Sequence, residues 1–290
     1  MAFLLLPVPP LMVAGPLAGL LLLARPGSWR ERWWLAAALS IAVLSFALGD
    51  RNPAGDLVRA AGLIFSGSLV ALAAWRRGGA FGQSAAAAGF TALAASGLGW
   101  MNGLDWGGFR VALETQLRTA TSLILDGSTL PAAQREGFEA SIGYLARLYP
   151  GIAVVCMVVG GVLALAVAHR IARHPVGPLP GRFSDFRFND HLIWGAVATF
   201  AGALMGVSGA PADLIANLLV LWVGLYGFRG AAVAVTALRQ WNPWLRAALF
   251  LSAVLLLPYA MGAALLLGLA DTWLDFRRAL TPPHTGGSTT

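Results

Sequence analysis

A chain of 290 residues with 58% hydrophobic and 11% charged side chains, and a mean hydropathy of +0.70, has too little polar surface for water to dissolve it as a globular domain. Its 20 basic residues are all arginine and are spread over every polar connection, so the net charge of +7 forms no basic face for nucleic acid. With no lysine, Schiff-base chemistry and the phosphate-loop lysine are excluded, and a lone cysteine, Cys156, makes no internal disulfide and reads as a small buried hydrophobe.

The solvent implied is lipid, and eight apolar stretches approach the length that a hydrocarbon core requires: 3–24, 33–49, 57–75, 84–104, 150–168, 192–208, 214–238 and 244–270. The fold class expected is therefore all-α, a polytopic helix bundle filling one membrane domain over 1–278. The first stretch has no basic n-region and carries Pro7, Pro9, Pro10 and Pro16, so it reads as a retained helix with an irregular start rather than a cleaved signal. Gly15 and Gly19 in the first stretch, and Gly202 and Gly206 in the sixth, place small residues four apart, spacing that lets helices pack closely.

Between the fourth and fifth stretches lies the longest polar insert, 105–147. Phe109, Leu113, Leu117, Ala120 and Ile124 share one helical face while Arg110, Glu114, Arg118 and Thr121 take the other. After Asp126-Gly-Ser-Thr, the series Phe138, Ile142, Leu145, Tyr149 repeats the pattern, which predicts an amphipathic hairpin, either a lid over a cavity or a surface element. The 279–290 tail, rich in Pro, Gly, Ser and Thr from Thr281 onward, is expected to be disordered.

Arginine counts set the orientation. Connections on one side hold 11 and those on the other hold 8, a slight bias placing both termini and the hairpin outside. The run Arg182 to Trp194 is then cytoplasmic; it interleaves Asp185, Arg187, Asp190 and His191 with Phe183, Phe186, Phe188 and Trp194. Such a run is either an interfacial anchor or a gating and partner-docking loop, with Phe186, Arg187, Phe188, Asp190, His191 and Trp194 as its working residues.

Arg229 lies inside the seventh stretch, where a guanidinium costs several kcal/mol unless it pairs, snorkels or faces water. Tyr226, three residues earlier, shares nearly the same face, and Asn217 lies on the same helix, so the three are the candidate ligand-binding residues. Under this topology Asp271 and Asp275 fall at outer span ends and Asp190 at an inner one, so none is level with Arg229. Its partner is either an internal carboxylate or the anionic group of a ligand.

Enzymatic readings meet gaps. Gly206-Val-Ser208-Gly209 matches the short nucleophile motif of rhomboid-type proteases, yet the histidine following it is His284, in the tail. His169, His174 and His191 gather near one connection instead of facing one another at mid-depth, the aspartates sit at span ends, and no specific phosphate loop is present. The chain is expected to have no catalytic residue, metal or cofactor.

The runs Phe186-Arg-Phe-Asn-Asp-His-Leu-Ile-Trp194, Asn217-Leu-Leu, Tyr226-Gly-Phe-Arg-Gly230 and Gly268-Leu-Ala-Asp-Thr-Trp-Leu-Asp-Phe-Arg277 resemble the YybS-like family of bacterial membrane proteins, a domain of unknown function. That family is distantly similar to the substrate-binding S-components of energy-coupling-factor transporters. The resemblance implies an eight-span protein of the bacterial inner membrane with a small-molecule or lipid cavity, any energising subunits being separate proteins. The function expected is binding or translocation of a small or amphiphilic solute around Arg229. The alternatives are a scaffold for a membrane or cell-envelope complex and a lipid-modifying enzyme built from Asp190, His191 and Ser184.

Overall fold

The computed structural model describes residues 10–47, 52–75, 78–125, 132–239 and 241–280, and all of their regular structure is helical. The chain divides into two compact units: Met1–Pro180 with Ser208–Asn217, and Gly181–Val207 with Leu218–Thr290.

The first unit is built on α1 (Pro10–Leu23), α2 (Trp29–Ala47), α3 (Pro53–Trp75), α4 (Ala80–Met101), α5 (Trp106–Leu125) and α6 (Ala132–Ile171). Met12, Leu20 and Leu21 of α1 pack with Phe65 and Leu69 of α3, Ala87 of α4 and Leu165 of α6 in one core. The helices meet through their small residues. A Cβ on Gly15 would collide with Ser66 and one on Gly19 with Val70, two residues also four apart, so this small-residue stripe serves packing inside the chain. On α6, a Cβ at Gly160 would come within 2.8 Å of the Met12 carbonyl oxygen. Gly206, by contrast, ends a helix with φ +66 and has open space around it, so the second glycine pair marks a helix stop.

The insert is helical, with one correction. Phe109 and Leu113 are buried against Ala54 and Ala146 while Arg118 pairs with Glu114 on the exposed side, as the periodicity requires. The second arm is not a separate short helix. It continues without a break into the fifth apolar stretch, making α6 a helix of 40 residues, about 60 Å long. The Asp126 interruption and the tail from Thr281 lie outside the described residues.

The second unit holds α7 (Ile193–Leu204), the part of α8 (Ala210–Leu238) from Leu218 on, α9 (Pro243–Leu255), α10 (Leu257–Leu274) and α11 (Phe276–Leu280). Two 3-10 turns, Phe183–Asp185 and Asp190–Leu192, shape the segment ahead of α7.

Four described helices are long and apolar enough to cross a membrane: α3, α8, α10 and residues 134–171 of α6; α1 and α9 are apolar but shorter. This falls short of the eight spans expected. The sixth stretch yields only 12 helical residues, about 18 Å, against a hydrocarbon core of about 30 Å. The eighth stretch is two helices: the chain breaks at Leu256, and Pro258, which cannot donate an N–H, falls in the first turn of α10.

Candidate functional site

Arg229 is the largest fully buried side chain among the described residues, at 0% exposure, and it is fully engaged within the second unit. Its Nε donates to Asp271 Oδ2 at 2.9 Å, Nη1 to Asp190 Oδ1 at 2.6 Å and Nη2 to the Asp271 carbonyl at 3.1 Å. The Phe188 ring lies under the guanidinium carbon at 5.4 Å, and Tyr226 meets Phe188 edge-on at 5.2 Å.

The local sequence makes this reach possible. Gly230 follows Arg229, and Gly268 stands one turn before Asp271. A Cβ at Gly230 would run into the backbone of Ala264 and one at Gly268 into the Tyr226 carbonyl, so α8 and α10 touch backbone to backbone. That approach lets a short aspartate on α10 meet a guanidinium on α8, and it corrects the expectation that no carboxylate is level with Arg229. Asp190 and Asp271, expected at opposite membrane faces, share one cation. The eighth stretch is two helices broken at Leu256, and it is α10 that brings Asp271 against Arg229.

The network extends outward from Arg229. Arg187 reaches Asp190 Oδ2 at 3.3 Å and Asp275 Oδ1 at 3.6 Å, and Arg277 lies 3.7 Å from Asp271 Oδ2. Three arginines thus face three aspartates, a locally neutral set. Burial presses the Asp190 carboxyl upward, but hydrogen bonds and charge from Arg229 and Arg187 outweigh it and hold the group below its usual range. For Arg277, burial first, and then the neighbouring Arg229 and Arg187, lower its affinity for the proton.

The Arg182 to Trp194 run is fastened at further points. The Ser184 carbonyl accepts from Thr236 Oγ1 at 3.3 Å and Arg277 Nη1 at 3.1 Å, and Phe186 packs between Phe183 and Phe188. His191 and Trp194 are exposed. Ser184 Oγ donates to Asp185 at 2.9 Å and the Asp190 carboxylate is held by arginines, so Ser184, Asp190 and His191 do not assemble as nucleophile, acid and base.

Asn217 belongs to the first unit and has a different task. Pro150 lies inside α6 and cannot donate an N–H, and beside it the Asn217 amide takes over one of the helix's own bonds: Gly151 N–H donates to Oδ1 at 2.7 Å and Nδ2 donates to the Arg147 carbonyl at 2.9 Å. One turn earlier, Asp213 accepts from Trp106 Nε1 at 2.7 Å and from Arg147, with Arg110 at 3.5 Å. Sequence reasoning missed this clasp. Glu31 was missed as well, although Ser28-Trp-Arg-Glu31 spells a capping box. Glu31 also accepts from the Arg173 N–H at 2.7 Å, and the backbone donors of Ser28 and Arg173 bring its carboxyl down to about 2.

A family model described as "Predicted membrane protein (DUF2232)" matches residues 1–272, the amino-terminal half as fully as the carboxy-terminal. No curated protein and no solved structure matches the chain.

Proposed function

Because the chain belongs to this family of predicted membrane proteins, we propose that it is a non-catalytic, multi-pass component of the bacterial inner membrane, a scaffold whose 181–192 segment is latched for a partner. The observation that carries this reading is the closed ion network on Arg229. A buried cation already held by two carboxylates, in a set of balanced charge, serves first to fix structure. The latch presents Arg182, Phe183, His191 and Trp194 outward, a cationic and aromatic surface of the kind that anchors interfaces.

One observation favours a second reading, binding or translocation of a small or amphiphilic solute. Asp271 is 1% exposed but Asp190 is 42% exposed, so one of the two carboxylates on Arg229 is open to replacement. The distant likeness to S-components agrees with this reading at the level of fold alone, and transport by that route would draw on separate energising subunits.

Native mass spectrometry of the gently solubilised protein separates the two. A stable protein complex without a small ligand supports the scaffold; a co-purifying small molecule or a defined lipid overturns it in favour of the solute.

A further inference from the structure

We propose that Arg187 and Arg229 form a binding site for an anionic group, a phosphate or carboxylate carried by an amphiphile or a free solute, and that Asp190 occupies this site as an internal stand-in. The inference rests on the solute reading above and names its ligand class.

Asp190 bridges the two guanidiniums, one oxygen to each. Two arginines about one small oxyanion is the arrangement that phosphate and carboxylate ligands receive, because each guanidinium presents paired donors to paired oxygens. The two carboxylates on Arg229 differ in their freedom to leave. Asp271 is buried on α10, while Asp190 sits in a 3-10 turn and can turn its side chain into water.

Releasing Asp190 would not release the segment. Ser184 is still held through its carbonyl, Phe188 still meets Tyr226 edge-on, and Arg187 still has Asp275 within 3.6 Å. The exchange is therefore local: one oxyanion for another. Exposed Phe183, Leu192 and Trp194 on the same segment offer contact to an apolar tail.

The test compares the full-length protein with Asp190→Asn in detergent, following thermal unfolding against inorganic phosphate, with chloride at equal ionic strength as the control. The expected result is that phosphate raises the midpoint of Asp190→Asn with an apparent affinity at least tenfold tighter than for wild type, while chloride does not. Adding Arg187→Gln abolishes the gain. Equal responses of wild type and Asp190→Asn, or equal effects of phosphate and chloride, overturn the proposal. Should Asp190→Asn not fold, wild type and Arg187→Gln are compared at millimolar phosphate, and equal shifts are then the refuting result. Repeating the measurement in phosphatidylglycerol and phosphatidylcholine vesicles identifies the source: a response to the anionic lipid but not to free phosphate assigns a headgroup, and the reverse assigns a solute. A ligand that co-purifies with wild type and is retained unchanged by Arg187→Gln leaves the solute reading standing and removes this site.

Discussion

At the scale of single residues, the deciding quantity is how much water each charge has lost. Replacing Arg229 with Gln leaves Asp271 as a carboxylate at 1% exposure with its nearest counter-charge gone, and breaking a buried pair from one side costs about 3–5 kcal/mol. Replacing Asp190 with Asn at 42% exposure removes a partner that water largely replaces, at a cost of about 1 kcal/mol or less. Chemical unfolding in detergent should rank the two variants in that order; a larger loss for Asp190→Asn would mean that the latch, and not the α8–α10 contact, carries the network. The sequence announced the cation but not its partners. A mid-span guanidinium is legible because its burial is costly, whereas Asp271 became a partner only through Gly230 and Gly268, whose effect depends on which helices touch.

At the scale of elements, two helices are held by side chains that substitute for backbone. Asn217 supplies both a donor and an acceptor beside Pro150 in α6, so Asn217→Ala strands the Gly151 N–H and the Arg147 carbonyl, and a loss of about 1–3 kcal/mol is expected. Faster amide exchange confined to the α6 backbone near Gly151 would mark the defect; unchanged exchange would show that water takes over both bonds. At the entry to α2, Glu31 is held at about 2 against an ordinary 4.5. The unfolded chain therefore takes up the proton first, so the stabilisation is complete above about 4.5 and is lost as pH falls through about 2. The protection of amides 27–31 and 173, taken relative to their intrinsic exchange at each pH, should fall across that window and be constant above it, and Glu31→Gln should remove that pH dependence. Helix positions were readable from apolar periodicity, and of the face expected for α5, Phe109 and Leu113 are buried and Leu117 is half-buried, while Ala120 is exposed. Continuity was not readable, because the join of the second arm to α6 and the break at Leu256 depend on Asn217 bonding across Pro150 and on a proline in the first turn of α10.

At the scale of the whole molecule, hydropathy fixed the solvent, while four of the described helices are long and apolar enough to cross a bilayer where eight crossings were expected. The stretches over 192–208 and 244–270 are as apolar as true spans, yet one forms only 12 helical residues and the other two helices, since composition reports preference for lipid and not the direction of the chain. The ion network turns this into a test of topology within the second unit. Arg277 donates to the Ser184 carbonyl, so residues 182 and 278, each exposed and each beside one end of that bond, must lie at the same membrane face. Three full crossings, over 192–208, 214–238 and 244–270, would instead separate them by the thickness of the bilayer. With Cys156 replaced by Ala, Arg182→Cys and Arg278→Cys should both be labelled by a membrane-impermeant maleimide from one side of sealed, oriented vesicles and both be protected from the other. Labelling from opposite sides would dissolve the Arg229 network and every functional reading built on it, because Asp190 and Asp271 could not then reach a common guanidinium.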